Sequence, residues 1–230
     1  MLIPVMLKRP MILGAALAAL HCVPASAQAP KVDGLKPCYV SAGPLETQRE
    51  PVSVRATNFT KLSTVDILID ETLQATAAVD FTGAVVGSVP APFIASGQAP
   101  FTLRVAEQNN AMNTASQMSL VTAFSVSQTP KVAKTKQRVR FRGRGFVDSA
   151  YVYAHYLFRG IPRKTVQVAY PEGPCGTFDE RRQQFPFKRK PGVGTWTIQF
   201  DQVRNYDPGT KTKVTMDIKV NRAPKQPRGH

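Results

Sequence analysis

The stretch Val52–Phe59, with Val52, Val54 and Ala56 at alternate positions before Asn58-Phe59, returns about ninety residues later as Val139–Phe146. In the second copy Val139, Phe141 and Gly143 alternate before Gly145-Phe146. Each copy is an alternating strand that ends in a residue tolerant of left-handed backbone, followed by a Phe placed to plug the end of a core. The repeat continues in the same order. Val65–Ile69 answers to Tyr151–Tyr156, Gly97–Val105 to Gly192–Phe200, and Leu120–Val126 to Val214–Val220. All are short, rich in β-branched and aromatic residues, and separated by Gly, Pro, Asn and Ser. That pattern predicts a sandwich or barrel, and no window outside the N-terminus holds a helical period. A unit of roughly ninety residues with about seven strands has the size of an immunoglobulin-like domain.

At these residues the chain resembles the bacterial immunoglobulin-like modules of the IPT/TIG type. Their kernel is an alternating strand, then Gly-x-Gly-Phe or Asn-Phe, then a second strand. The likeness spans residues 36–222. The second copy carries the fuller Gly143-x-Gly145-Phe146, and the first has Ala56 and Asn58 instead of the two glycines. The resemblance implies an all-β chain of two tandem immunoglobulin-like β-sandwiches, without the Cys…Trp…Cys set of antibody domains. Trp196 is expected in the core of the second unit.

The N-terminus reads as a secretory signal peptide. Lys8 and Arg9 give a charged start, Met11–Leu20 an apolar run, and Ala25-Ser26-Ala27 a small-x-small cleavage site. His21 and Pro24 cut the run short of the roughly 20 apolar residues a membrane span requires. The expected organisation is therefore a leader over 1–27, a first sandwich over 36–128, a second over 131–222 and a disordered basic tail over 223–230. Cleavage after Ala27 makes the protein extracytoplasmic, with no transmembrane segment in the mature chain. It retains two cysteines, Cys38 and Cys175. In an oxidising compartment such a pair suits an intramolecular bridge, free thiols or an intermolecular bond alike. It has neither CxxC spacing nor a histidine cluster, so no metal site is expected.

Charge divides the repeats. The chain carries a net +15, and loss of Lys8 and Arg9 with the leader leaves +13. Residues 28–130 hold six Lys/Arg and eight Asp/Glu, whereas residues 131–230 hold twenty-two and seven. The first half is near neutral and the second carries the whole excess. Lys134, Lys136, Arg138, Arg140, Arg142 and Arg144 occupy every second position. On a strand this places the cations on one face over about 20 Å, with Val139 and Phe141 turned to the core. Basic groups at Arg159, Arg163-Lys164, Arg181-Arg182 and Lys188–Lys190 are expected in loops that extend the field, and Tyr151, Tyr153 and Tyr156 in the neighbouring strand. One reading is a surface for an anionic envelope polymer or lipid surface. The other is a solvated edge strand on which cations discourage aggregation. No nucleic-acid fold signature is present, so a sequence-specific DNA or RNA reader is not expected.

The residues needed for common active sites are scarce. Among the three histidines only His155 lies inside a repeat, and it is expected to be a half-buried sheet residue. Asp179-Glu180 are adjacent, so on a strand they point to opposite faces and make no acid–base pair. Gly143-Arg-Gly145 has no helix after it to form a dinucleotide loop. No cofactor is implied. The expected function is a non-enzymatic exported binding or envelope-associated protein whose basic half docks on an anionic surface. Alternatives are an adhesion or subunit module that binds another exported protein, and a pilus-type periplasmic chaperone, which is likewise exported, basic and two-domain.

Overall fold

The computed structural model describes residues 28–221, so the leader 1–27 and the tail 223–230 lie outside the described residues. Eight strands come first: β1 (Lys31–Val32), β2 (Cys38–Ser41), β3 (Pro51–Thr57), β4 (Thr64–Ile69), β5 (Thr72–Ala78), β6 (Val85–Pro90), β7 (Gln98–Glu107) and β8 (Asn110–Ala123). They form two sheets, ordered β1-β3-β6 and β2-β8-β7-β4-β5. Seven follow: β9 (Ser125–Thr129), β10 (Arg138–Arg144), β11 (Val152–Phe158), β12 (Ile161–Ala169), β13 (Phe178–Gln183), β14 (Gly194–Asp201) and β15 (Val214–Val220). Their sheets run β9-β10-β13 and β12-β11-β14-β15. In the second half strands one, two and five face strands three, four, six and seven, and the first half repeats this Greek-key order once β2, an added strand that pairs parallel with β8, is set aside. This is the layout of an immunoglobulin-like sandwich. The fold is all-β, with two such sandwiches in tandem.

The alternation in the sequence sets which side of each sheet is buried. β3 and β10 share one pattern of exposed and buried residues, with Val52, Val54 and Ala56 inward in the first and Val139, Phe141 and Gly143 in the second. Each sandwich closes on its own apolar cluster. In the first, Tyr39 and Phe101 meet edge to face at 5.8 Å. In the second, Trp196 is buried among Phe158, Phe185 and Phe187, with ring centroids 4.9–5.4 Å away. Its indole N–H donates to the Gly192 carbonyl at 2.9 Å, which satisfies the one polar atom that burial would otherwise strand.

The residues at the end of the kernel do two different jobs. Asn58 and Gly145 have φ of 68° and 88°, the left-handed turn expected of them. Gly143 has ordinary backbone, but a Cβ there would sit 2.1 Å from the Phe178 ring, so glycine is required by packing.

Leu120–Val126 is not one closing strand. β8 ends at Ala123, and Ser125 opens β9, which pairs with β10. Phe124 sits at the crossing. Its N–H donates to the Ser41 carbonyl at 3.0 Å, and its ring packs 5.0 Å from Phe146. Beside it Cys38 of β2 and Cys175 of the β12–β13 loop form a disulfide, both sulfurs in buried residues. The Cys175 carbonyl accepts from Gly145 N–H at 3.0 Å, which ties the bridge to the kernel turn.

Candidate anion-binding face

Arg138, Arg140, Arg142 and Arg144 emerge side by side from the outer face of β10 because Val139 and Phe141 are drawn into the core. β10 is the middle strand of its sheet, paired with β9 on one side and β13 on the other. The edge-strand reading of the row is therefore corrected: β10 has no open edge for cations to guard. Cross-strand register completes the face. On β13, Gln183 lies opposite Arg138, Arg181 opposite Arg140 and Asp179 opposite Arg142. On β9, Thr129, Ser127 and Ser125 lie opposite Arg140, Arg142 and Arg144. Five arginine positions are thus set in two adjacent columns, flanked by hydroxyl residues.

One carboxylate serves this group. Asp179 accepts from Arg140 Nε at 2.5 Å and from Arg142 Nε at 3.1 Å. The Arg140 hydrogen bond first, then that of Arg142, hold the Asp179 carboxyl below the usual carboxylate range. The same bond raises Arg140. Both arginines remain about half exposed, at 52% and 54%. Arg138 donates to the Arg181 carbonyl at 2.8 Å, a neutral acceptor that leaves its charge uncompensated. Arg138, Arg140, Arg181, Thr129 and Asp179 line a groove of about 550 Å³. Like charges a strand spacing apart repel one another, which gives the face a positive potential.

Other expected groups fall elsewhere. Lys134 and Lys136 precede β10 in the loop from β9, where Lys134 N–H bonds the Gln137 side chain, so they flank the row without continuing its strand. Arg144 is half-buried and reaches toward the Gly97 turn of the first sandwich. Arg181 and Arg182 belong to β13 and are not in a loop. Arg181 joins the face, while Arg182 lies 4.0 Å from Glu180. Arg163 and Lys164 are in β12, and Tyr151, Tyr153 and Tyr156 are in or beside β11, both strands of the facing sheet. The expectation that these tyrosines neighbour the arginine row is corrected for that reason. Tyr156 points into the core, and burial pushes its hydroxyl up.

No protein-family model matches the chain, and no curated protein sequence matches it. Solved structures are similar to it at low identity. The fibronectin(III)-like modules of Clostridium thermocellum CbhA are 13% identical over 87% of this chain and 98% of theirs, with a TM-score of 0.26. Bovine butyrophilin is 10% identical over 84% of this chain and 99% of its own, with a TM-score of 0.34. The N-terminal eight immunoglobulin domains of Down Syndrome Cell Adhesion Molecule are 12% identical over 84% of this chain and 27% of theirs, with a TM-score of 0.31. The strand order, not these likenesses, carries the assignment of fold.

His155 is fully buried, more deeply than the sequence suggested. Its Nδ1 meets the Thr165 hydroxyl at 2.9 Å and its Nε2 meets Asp201 Oδ1 and the Val203 carbonyl, each at 3.1 Å. Asp201 also accepts from Gln199 at 2.7 Å and from Val203 N–H at 2.9 Å. Burial acts to raise the Asp201 carboxyl, but the bonds from His155, Gln199 and Val203 outweigh it and leave it lowered. Every partner is satisfied inside the network, which is the arrangement of a structural clamp. Among the described residues no group of three His, Cys, Asp or Glu is placed to hold a metal, and no helix is long and apolar enough to cross a membrane.

Proposed function

We propose that the protein is an exported, non-enzymatic binding module that docks on an anionic envelope polymer through Arg138, Arg140, Arg142, Arg144 and Arg181. The observation that carries this reading is the imbalance on one sheet face, where Asp179 pairs with Arg140 and Arg142 and, among the described residues, no carboxylate is in salt-bridge contact with Arg138, Arg144 or Arg181. Lys134 and Lys136 add charge at one end. The near-neutral first sandwich then acts as a spacer or protein-contact module. Export is supported by the leader pattern and by a disulfide of the kind that persists in oxidising compartments.

Such docking is dominated by charge and weakens steeply with salt. Retention of the mature protein on immobilised polyuronate and polyphosphate, eluted in graded salt, tests it. Wild type should be retained at low salt and released as salt rises, and a variant with the four β10 arginines changed to Gln should pass through. Equal retention of the two proteins, or retention indifferent to salt, contradicts the proposal.

A further inference from the structure

The β14–β15 loop folds back over the outer face of the sheet opposite the arginine row. It is held there by the buried clamp: the Val203 carbonyl bonds His155 at 3.1 Å, the Asp207 carbonyl accepts from Gln199 at 3.0 Å, and the Tyr206 ring packs 5.7 Å from the His155 ring. His155 and Gln199 face outward from the core yet are buried, because the loop covers this part of the sheet surface. Between this strap and β12 lies a cleft of about 650 Å³. Tyr151, Tyr153 and Tyr206 supply its rings, and Gln167, Arg204 and Asn205 its polar groups. Among the described residues no carboxylate lines it. Tyr151 is 44% exposed and meets the exposed Tyr170 edge to face at 5.2 Å, which holds the ring upright at the rim.

We infer that this cleft binds a carboxylated oligosaccharide. A pyranose ring has an apolar face bounded by hydroxyl groups. Tyrosine offers a flat ring with a polar tip, and the amides of Gln167 and Asn205 donate and accept at once, as sugar hydroxyls require. Among the described residues Arg204 is the one charged side chain of the cleft, and its planar fork matches a carboxylate. A nucleic acid strand needs a track of cations along its backbone, and one guanidinium does not provide it. The floor strand β11 is paired on both sides, by β12 and β14, so its main chain is not open to strand addition by a peptide. Recognition falls to the side chains.

The site lies on the opposite sheet from the arginine row and does not depend on it. The test is a titration of the ¹⁵N-labelled mature protein with tetragalacturonate and with cellotetraose, in a background where Arg140, Arg142 and Arg144 are changed to Gln. The expected result is a set of amide shifts confined to residues 151–153, 165–167 and 204–206, with tetragalacturonate bound several-fold more tightly than the neutral sugar. Tyr151→Ser and Arg204→Gln, both at exposed positions outside the clamp, should each weaken tetragalacturonate by roughly tenfold. Unchanged spectra of both variants in the absence of sugar show that the fold is intact. The inference is overturned by shifts absent from the cleft, by equal affinity for the two sugars, or by affinities that neither substitution alters. Failure of the arginine face in the retention experiment leaves this result untouched, because three of its five arginines are removed here and binding is read only from amides of the cleft.

Discussion

Asp201 shows how a single buried carboxylate acts on the whole second sandwich. Its folded-state carboxyl titrates below the ordinary range, so the ionised form contributes stability that is complete above the unfolded value of about 4. That contribution is lost as pH falls through the lower folded value. Thermal midpoints measured across acid pH should therefore fall more steeply for wild type than for Asp201→Asn. At neutral pH the substitution should cost about 2 kcal/mol, because it leaves His155 and Val203 N–H with a weaker acceptor in a dry site. Parallel pH profiles contradict this account. Gly143 is the second informative residue. Gly143→Ala drives a methyl into the Phe178 ring and should cost about 1–3 kcal/mol in denaturant unfolding, although alanine suits strand backbone better.

At the scale of elements, what was legible in the sequence was what alternation encodes. The inward faces of β3 and β10, the turns at Asn58 and Gly145, and the buried Trp196 all follow from local pattern. What was not legible depended on partners distant in the chain. Leu120–Val126 alternates without a Gly or Pro, so nothing local marks the passage at Phe124 from one sandwich to the next. The register makes the same point: Ser119 lies opposite Phe101, but Ile218 lies opposite Trp196, so the closing strands of the two copies align Ile218 with Ser119 and not with Phe124. The central place of β10 was equally hidden, because β13 reaches it by non-local pairing and β9 exists only through the unmarked break at Phe124. In sequence Asp179 is only the neighbour of Glu180 on the opposite strand face, and register alone makes it the counterion of two arginines. Phe124 is the packed hinge of this arrangement, lying on Phe146 and against Gly145. Phe124→Ala should cost about 2 kcal/mol and broaden the distribution of angles between the sandwiches in solution scattering. An unchanged scattering profile contradicts a hinge role.

For the whole molecule, one covalent bond and one charge imbalance matter most. The Cys38–Cys175 bridge spans 137 positions in sequence and joins β2, in the five-stranded sheet of one sandwich, to the β12–β13 loop of the other. In the chain-entropy account, closing so long a loop stabilises by about 5 kcal/mol. The double variant Cys38→Ser/Cys175→Ser should approach that loss in equilibrium unfolding, and a loss near zero removes the bridge from the account of stability. The charge imbalance is the basis of the proposed docking. Among the described residues Asp179 is the only carboxylate in salt-bridge contact with the arginine row, so it and the arginines should act in opposite directions. The measurement that tests this most directly is the affinity of the mature protein for a soluble polyuronate over a series of salt concentrations, with Asp179→Asn and Arg138→Gln/Arg140→Gln compared against wild type. The account predicts that Asp179→Asn binds several-fold more tightly with a steeper salt slope, and that the arginine variant binds more weakly with a shallower one. Two variants that shift affinity in the same direction, or not at all, contradict it.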